Sequence, residues 1–424
     1  MNNKNLNPKT KEYGTRFPKL KGFGALEDYR TMAWNCVNCN YCQEMWSWDV
    51  KSAEFSYICP MFAKHRFFAY SARGISQIIR ALLEGDFVIK DSKKIADIAY
   101  RCTCCGACEI NCLRLNERHP EEMIEALRAE LVEKSIVLPE HKAYLESTLK
   151  YHNPFGALPE ERLKWTEDLE FEIKDLTKEK ADVLLFTGSM YALEPRVRER
   201  IKVFAKILNA AGIDFGFLGA KEKCCGMLQL QIGERGIFEE LAEENIKTFN
   251  GLGIKTLVTP DPHSYHSFKS YYPMVGEMNF EVLHFTQYLK RLIDEGKIKL
   301  KELPRQIVTY SDPCSLGRWA GEYEAPREIL KAIKGIELRE MERNHDQAWC
   351  CGAGGGVLAA YPDLATWTAA VRVKEAEATG ASVLASACPW CEYNLERGIE
   401  VRKSKMELLD VAEIVWKSMK GGEK

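Results

Sequence analysis

What this chain lacks narrows its class before any motif is read. No uninterrupted apolar run approaches the roughly 18 residues that span a bilayer, and the polar start, Met1 to Glu12, has no hydrophobic signal segment. A membrane-spanning protein and export by the general secretory route are not expected. Excess charge is missing too: 59 basic and 61 acidic residues leave a net charge of −2, spread along the chain, so no footprint for a nucleic acid is visible. The 424 residues exceed one ordinary core and allow two or three domains.

Cysteine is abundant, sixteen residues in all. A disulfide framework suits short secreted chains, whereas these cysteines fall in tight clusters, so the reading is metal ligation in a reducing compartment. Cys36-x-x-Cys39-x-x-Cys42 supplies three thiolates on one loop, and Cys102-x-x-Cys105-x-x-Cys108-x-x-x-Cys112 repeats the triplet with a distal fourth; Cys59-Pro60 takes the distal part for the first set. This is the spacing of a ferredoxin with two cubane 4Fe-4S clusters, in which the fourth cysteine ligates the other cluster. One cluster is thus assigned to Cys36, Cys39, Cys42 and Cys112, the other to Cys102, Cys105, Cys108 and Cys59. Two departures stand out: Cys59 follows Cys42 by seventeen positions, with an aromatic-rich insertion between, and Leu113 replaces the proline expected after the last cysteine. Zinc also accepts four thiolates, but interlocked triplets with distal cysteines favour iron and sulfide. Cys104 is surplus and is read as a small buried side chain.

Residues 1–30 look like a loose leader of Lys, Asn, Gly and Pro. Helical apolar spacing marks Ser76–Leu83 and Ile95–Tyr100, and a charged amphipathic helix is expected over Glu121–Lys134 after Pro120. Turn signals at Asn153, Pro154, Gly156 and Pro159 precede a strand pattern at Ala181–Thr187, which puts a domain boundary near residue 150. Beyond it the sequence repeats itself. Asp182 to Ser189 resembles Gln306 to Cys314, Cys224-Cys225-Gly226 resembles Cys350-Cys351-Gly352, and Asp261-x-x-Ser264 resembles Cys388-x-x-Cys391, at offsets of 125, 126 and 127 residues.

The second copy gathers Cys314, Cys350, Cys351, Cys388 and Cys391, each on the C-terminal side of a predicted strand, the edge where doubly wound sheets place ligands. Five thiolates exceed what one cubane requires, and adjacent cysteines suit different irons of a cluster better than one tetrahedral ion. Gly352, Gly354, Gly355 and Gly356 follow the pair without the Lys-Ser/Thr of a phosphate loop, so they are read as admitting backbone close to the cluster.

Over roughly residues 30–415, with SDPCSLGR, CCGAGGG and CPWC at the motif positions, the sequence resembles the cysteine-rich CCG-domain proteins. The arrangement is that of the catalytic subunit of heterodisulfide reductase in its single-chain, D-type form, with the K subunit of the sulfite-reduction-associated complex as a relative. The resemblance implies that Cys314, Cys350, Cys351, Cys388 and Cys391 bind a non-cubane 4Fe-4S cluster at which a disulfide is reduced in one-electron steps. It also implies partner subunits (a flavoprotein, a cytochrome b-type membrane subunit or a dehydrogenase), a small-molecule or protein disulfide as substrate, and a cytoplasmic location, attached to the inner membrane face only through partners. The alternative is a relay without catalysis in an electron-bifurcating flavoprotein complex or a 2-hydroxy-acid or glycerol-3-phosphate dehydrogenase.

The first copy departs from that pattern. Ser189, Asp261 and Ser264 replace cysteines, leaving Cys224 and Cys225. His263 and His266 beside them raise a mononuclear metal site, against which stands a scaffold with vestigial thiols. His345 is read as a polar loop residue or a proton donor to a thiolate, and Arg318 as a surface ion pair, an attractor of an anionic substrate or a charge that neutralises the cluster. The expected fold is a helical two-cluster ferredoxin-like domain over 31–150, then two α/β CCG units, ligand-depleted over 151–300 and complete over 301–424.

Overall fold

The computed structural model describes residues 24–45, 50–86, 93–112 and 119–421. Most of the leader and Leu113 lie outside the described residues, as does part of the aromatic insertion, whose remainder forms a short turn at Ala53–Phe55 and a Glu44 to Tyr57 bridge. The chain is already structured at Leu26–Tyr29, whose Leu26 and Tyr29 enter the N-terminal core.

That core is helical. Ala72–Glu84, Lys93–Tyr100 and Pro120–Glu133 contain the three expected helices, two of them with one apolar face. Ser71 caps the first through Gly74 N–H, Gly85 ends it in the left-handed region, and Pro120 opens the third. Ile75, Ile79, Ile98, Met123, Ile124 and Leu127 pack together between them.

Beyond the helix Pro139–Tyr151 come two parallel sheets. The first contains β1 (Lys174–Asp175), β2 (Val183–Leu185), β3 (Phe215–Phe217), β4 (Thr256–Thr259) and β5 (Glu281–His284), in the order β1-β3-β2-β4-β5. The second contains β6 (Gln306–Tyr310), β7 (Ile336–Leu338), β8 (Val383–Ser386) and β9 (Glu407–Asp410), in the order β7-β6-β8-β9. Without the edge strand β1 the two orders are the same, and Val183, Thr256 and Glu281 match Val308, Val383 and Glu407 in register. The internal repeat in sequence is therefore a repeat in space. Helices on both faces leave the strands buried on both sides, which is why β2, β4 and β8 read as continuous apolar or small-residue runs. One apolar core runs through both sheets.

The helical domain is seated on the sheets by buried arginines. Arg128, fully buried, donates to the carbonyls of Ala99, Cys102, Gln231 and Gly355 and to the Cys104 sulfur, so one side chain joins the ferredoxin loop to both repeats. Arg343 joins Tyr57 O at 2.6 Å to the buried carboxylate of Glu375 at 3.0 Å. Truncating Arg128 would leave four buried carbonyls short of a donor, at a cost of about 3 kcal/mol or more. Arg128→Ala is expected to lower the thermal midpoint by roughly 5 °C; scanning calorimetry showing no shift would mean that the domains are held by other contacts.

Candidate iron-sulfur centres

All sixteen cysteines are free thiols. In the first triplet Asn38 and Asn40 adopt left-handed backbone (φ 57° and 72°), and in the second Cys104 and Gly106 do the same at the corresponding positions (φ 51° and 72°). Alternating left-handed residues coil each loop so that cysteines three apart turn to one side. Cys104 therefore serves as a backbone corner. It is buried, its sulfur accepts from Arg128 at 3.1 Å and its carbonyl from Trp319 Nε1 at 3.1 Å.

Cys59, Cys102, Cys105 and Cys108 line one small pocket with Pro60, Gly106 and Ala107. Burial raises the Cys59 and Cys108 thiols well above the ordinary value, and Cys42 is near enough for its charge to act on both. Of the other set, Cys36, Cys42 and Cys112 are buried, while Cys39 is exposed.

The five cysteines of the second repeat come together from the C-terminal side of the strands β6, β7 and β8. Their thiols form a hydrogen-bonded chain: Cys314 to Cys350, Cys350 to Cys351, Cys351 to Cys391, Cys391 to Cys388. Hydrogen bonds from Cys350 and Cys391 pull Cys351 well below the ordinary thiol value, and burial lifts Cys388 to about 12. The turns are braced from behind. Asn394 Nδ2 donates to Cys351 O at 2.6 Å, Cys388 N–H donates to Glu392 at 3.2 Å, and Asp312 is held by Arg327 at 2.6 Å while accepting from His345 N–H. This donor set of clustered free thiols fits an iron-sulfur cluster.

Cys350 packs with Cys105 and Cys314 in one small buried cluster, so the ferredoxin loop meets the five-cysteine site. Cys350 beside it, aided by the Arg318 charge against the cost of burial, holds Cys105 down to about 5. Arg318 is buried and donates to the carbonyls of Asp346, Cys105 and Ala348, which overturns the expected surface ion pair and leaves it no face for an anion. The glycine run has a different first use from the one expected. A Cβ at Gly354 would lie 2.6 Å from Thr103 O, and one at Gly355 2.5 Å from Cys102 O, so these glycines admit the ferredoxin loop itself.

The first repeat keeps the arrangement without the ligands. Ser189, Cys224, Cys225, Ser264 and Asp261 are hydrogen-bonded in the same succession as their five counterparts, and Ser267 supports Cys225 O at 2.9 Å where Asn394 supports Cys351 O. Ser189 is fixed by Arg162 at 2.8 Å, itself paired with buried Glu222 at 3.0 Å. His263 and Trp390, equivalent at an offset of 127 residues, meet edge to face at 5.5 Å, so the two sites face one another across a local two-fold. A narrow cleft lies there, lined by Ser189, Cys224, Cys225, Asp261 and His263 from one side and by Gly354, Gly355 and Trp390 from the other. His266 instead stacks on Trp319 at 5.9 Å, away from any joint site with His263. His345 is hydrogen-bonded to Asn344 and faces Glu324 at 3.5 Å.

Sequence reasoning missed Arg128, Trp319 and the Cys105 to Cys350 contact. No motif marks them: Arg128 lies in the helix expected to be charged and amphipathic, which is in fact buried on nearly every side, Glu121, Glu122 and Glu125 included.

Comparison with known proteins agrees with this geometry. The family described as "Cysteine-rich domain", CCG, matches residues 183–269 and 308–396, and "4Fe-4S dicluster domain" matches 32–114. The chain is 34% identical over 391 residues to the D subunit of dihydromethanophenazine:CoB–CoM heterodisulfide reductase from Methanosarcina barkeri, covering 90% of this chain and 92% of that one. It is 35% identical over 332 residues to the probable iron-sulfur-binding oxidoreductase FadF of Bacillus subtilis, and 30% identical over 339 residues to EtfAB:quinone oxidoreductase of Syntrophomonas wolfei. In both cases 76% of this chain is covered but only 47% of the relative, so the chain spans about half their length. The class is thus an iron-sulfur oxidoreductase with a dicluster ferredoxin domain. Within it, the chain belongs to the CCG cysteine-rich domain family, in the D-type arrangement of heterodisulfide reductase.

The seat of the ferredoxin loop gives a graded test. At Gly106 a Cβ would fall 2.2 Å from the Trp319 ring and the backbone is left-handed, whereas Gly85 shares that backbone with open space around it. Gly85→Ala should cost only the conformational penalty of about 1 kcal/mol. Gly106→Ala should destabilise several-fold more and lower the iron content, read by denaturant melts and iron assay; equal effects would refute the close approach.

Proposed function

We propose that the chain is the iron-sulfur subunit of a redox complex that reduces a disulfide. In this reading Cys36, Cys39, Cys42 and Cys112 hold one cubane 4Fe-4S cluster, and Cys59, Cys102, Cys105 and Cys108 a second. Cys314, Cys350, Cys351, Cys388 and Cys391 hold a non-cubane 4Fe-4S cluster. When bound, these groups supply single electrons and an iron able to capture sulfur. The observation that carries the reading is the packing of Cys105 with Cys350 in one buried cluster, a proposed ligand of the second cubane against one of the five-cysteine site.

The chain's own residues then do three things. Arg128 and Arg318 set buried positive charge beside the second and third cysteine sets and fix the loops that carry them. Burial of Cys350, Cys351, Cys388 and Cys391 keeps bulk water from most of the site, while half-buried Cys314 stands at its edge. Apolar Met190, Met227 and Trp390, beside His263 and Asp261, line a narrow cleft between the repeats, and a disulfide would enter there only as these side chains part. Burial lowers the basicity of His263, which meets Trp390 edge to face.

A second reading, a relay without its own substrate, draws support from Ser189, Asp261 and Ser264 in place of cysteines and from relatives named as larger oxidoreductases. Purification from the native source decides between them. The first reading expects turnover of a disulfide with reduced viologen, while a flavoprotein or dehydrogenase partner with no such turnover would establish the relay.

Cys388→Ser tests the site itself. The variant should lose the thiol-dependent paramagnetic signal of the oxidised protein while about eight irons remain with the ferredoxin domain. Unchanged turnover and signal would show that the five-cysteine assignment is wrong.

A further inference from the structure

The chain as a whole is almost neutral, yet one part of it is not. Residues 29–43 and 55–83 contain Arg30, Lys64, Arg66, Arg73 and Arg80 and no carboxylate. These two segments are the first cysteine loop and the helix that carries it. Arg73 donates to Asn40 Oδ1, Gln77 Nε2 to Asn38 Oδ1 at 3.4 Å, and Arg80 lies 4.9 Å over the Trp34 ring. The arginines therefore border the loop on which Cys39 stands.

Residues 37 to 40 of that loop are all exposed, Cys39 among them, whereas Cys105 is buried against the second repeat. Large apolar side chains are exposed on the same part of the domain: Val37 is 58% accessible, Phe67 62% and Phe68 49%. The Arg73 guanidinium sits 4.3 Å over the Phe68 ring, and Phe68 stacks on Phe62 at 6.0 Å, so these aromatics are held in place. Three of the seven large apolar side chains exposed among the described residues fall within residues 37–68. Apolar contact with a rim of one charge, around a single exposed cysteine, is the make-up of a transient electron-transfer surface.

We infer that this face, centred on Cys39 and rimmed by Arg66, Arg73 and Arg80, docks a redox protein with an acidic surface around its own cofactor. The inference rests on the proposed cluster at Cys36, Cys39, Cys42 and Cys112 and adds where its partner sits and which charge that partner carries. The buried Cys105 edge faces inward to Cys350, so the exposed Cys39 edge is the side open to an external protein. Long-range attraction steers the partner in, and the apolar residues set a short residence.

The probe is a flavodoxin, a small acidic FMN protein with one-electron chemistry. Titration calorimetry of the cluster-loaded full chain with oxidised flavodoxin should give binding that weakens steeply as salt rises. Arg66→Glu, Arg73→Glu and Arg80→Glu together should weaken it by about tenfold or more at low salt and remove the salt dependence. The matching lysine triple variant should keep it. Reversing Lys331, Lys334 and Lys405, exposed on the second repeat, should leave it unchanged.

Rapid mixing with reduced flavodoxin gives a second readout, in which the flavin loses one electron and the iron-sulfur chromophore gains it. That rate should fall with the arginine reversal, while reduction by the small cation methyl viologen persists. An iron assay and viologen bleaching that fail already in the wild-type chain would instead refute the cluster assignment. Equal flavodoxin affinity in the wild-type and arginine-reversed chains overturns the docking face, as does an equal loss with the lysine reversal. Sedimentation with phosphatidylglycerol vesicles in place of flavodoxin binding would make it a membrane surface and overturn it as well.

Discussion

Everything in this protein depends on two cysteine loops from different domains packing against one another. Cys105 belongs to a helical domain and Cys350 to a parallel-sheet domain, and their shared buried cluster holds only if the two domains seat without slack. The means are unusual for an interface. Arg128 and Arg318 are buried cations whose donors are spent on carbonyls of Cys102, Cys105, Gly355 and Ala348, so backbone from both domains is fixed at the height of the sulfurs. Gly354 and Gly355 remove the side chains that would hold the ferredoxin loop away. A buried arginine that lost these acceptors would be an unpaired charge in a dry interior, so the seat is all or nothing.

The two sheet repeats illustrate how a site is kept as architecture after its chemistry changes. Ser189, Cys224, Cys225, Ser264 and Asp261 keep the contact order of Cys314, Cys350, Cys351, Cys391 and Cys388, because strand ends and turns of the same register position them. What changed is the donor set. Hydroxyl and carboxylate oxygen satisfy one another through the Ser264 to Asp261 bond at 2.8 Å and the Arg162 to Ser189 bond at 2.8 Å. The depleted half thus contributes a wall of the cleft that faces the complete half.

Much of this was legible in the chain itself, for reasons that differ by residue. Cysteine triplets are local, so Cys36 to Cys42 and Cys102 to Cys112 announced their loops, and the left-handed corners at Asn38, Asn40 and Gly106 suit residues that tolerate such backbone. The repeat was legible because equal folds need equal spacing. Arg318 was misread because exposure is decided by what packs on top, and here that is a segment more than two hundred residues earlier in the chain. Cys104 was read as a buried side chain, but its use as a corner and as an anchor for Trp319 follows from long-range partners.

By itself, then, the sequence determined the ligand inventory, the helical and parallel-sheet elements and the presence of one complete and one depleted unit, since each rests on residue type and short spacing. Only the tertiary structure decided that Cys105 abuts Cys350, that Arg128 and Arg318 are buried between the domains, and that the edge at Cys39 faces outward. Those are relations between surfaces brought together by burial and by a few buried cations, and no periodicity along a chain encodes them.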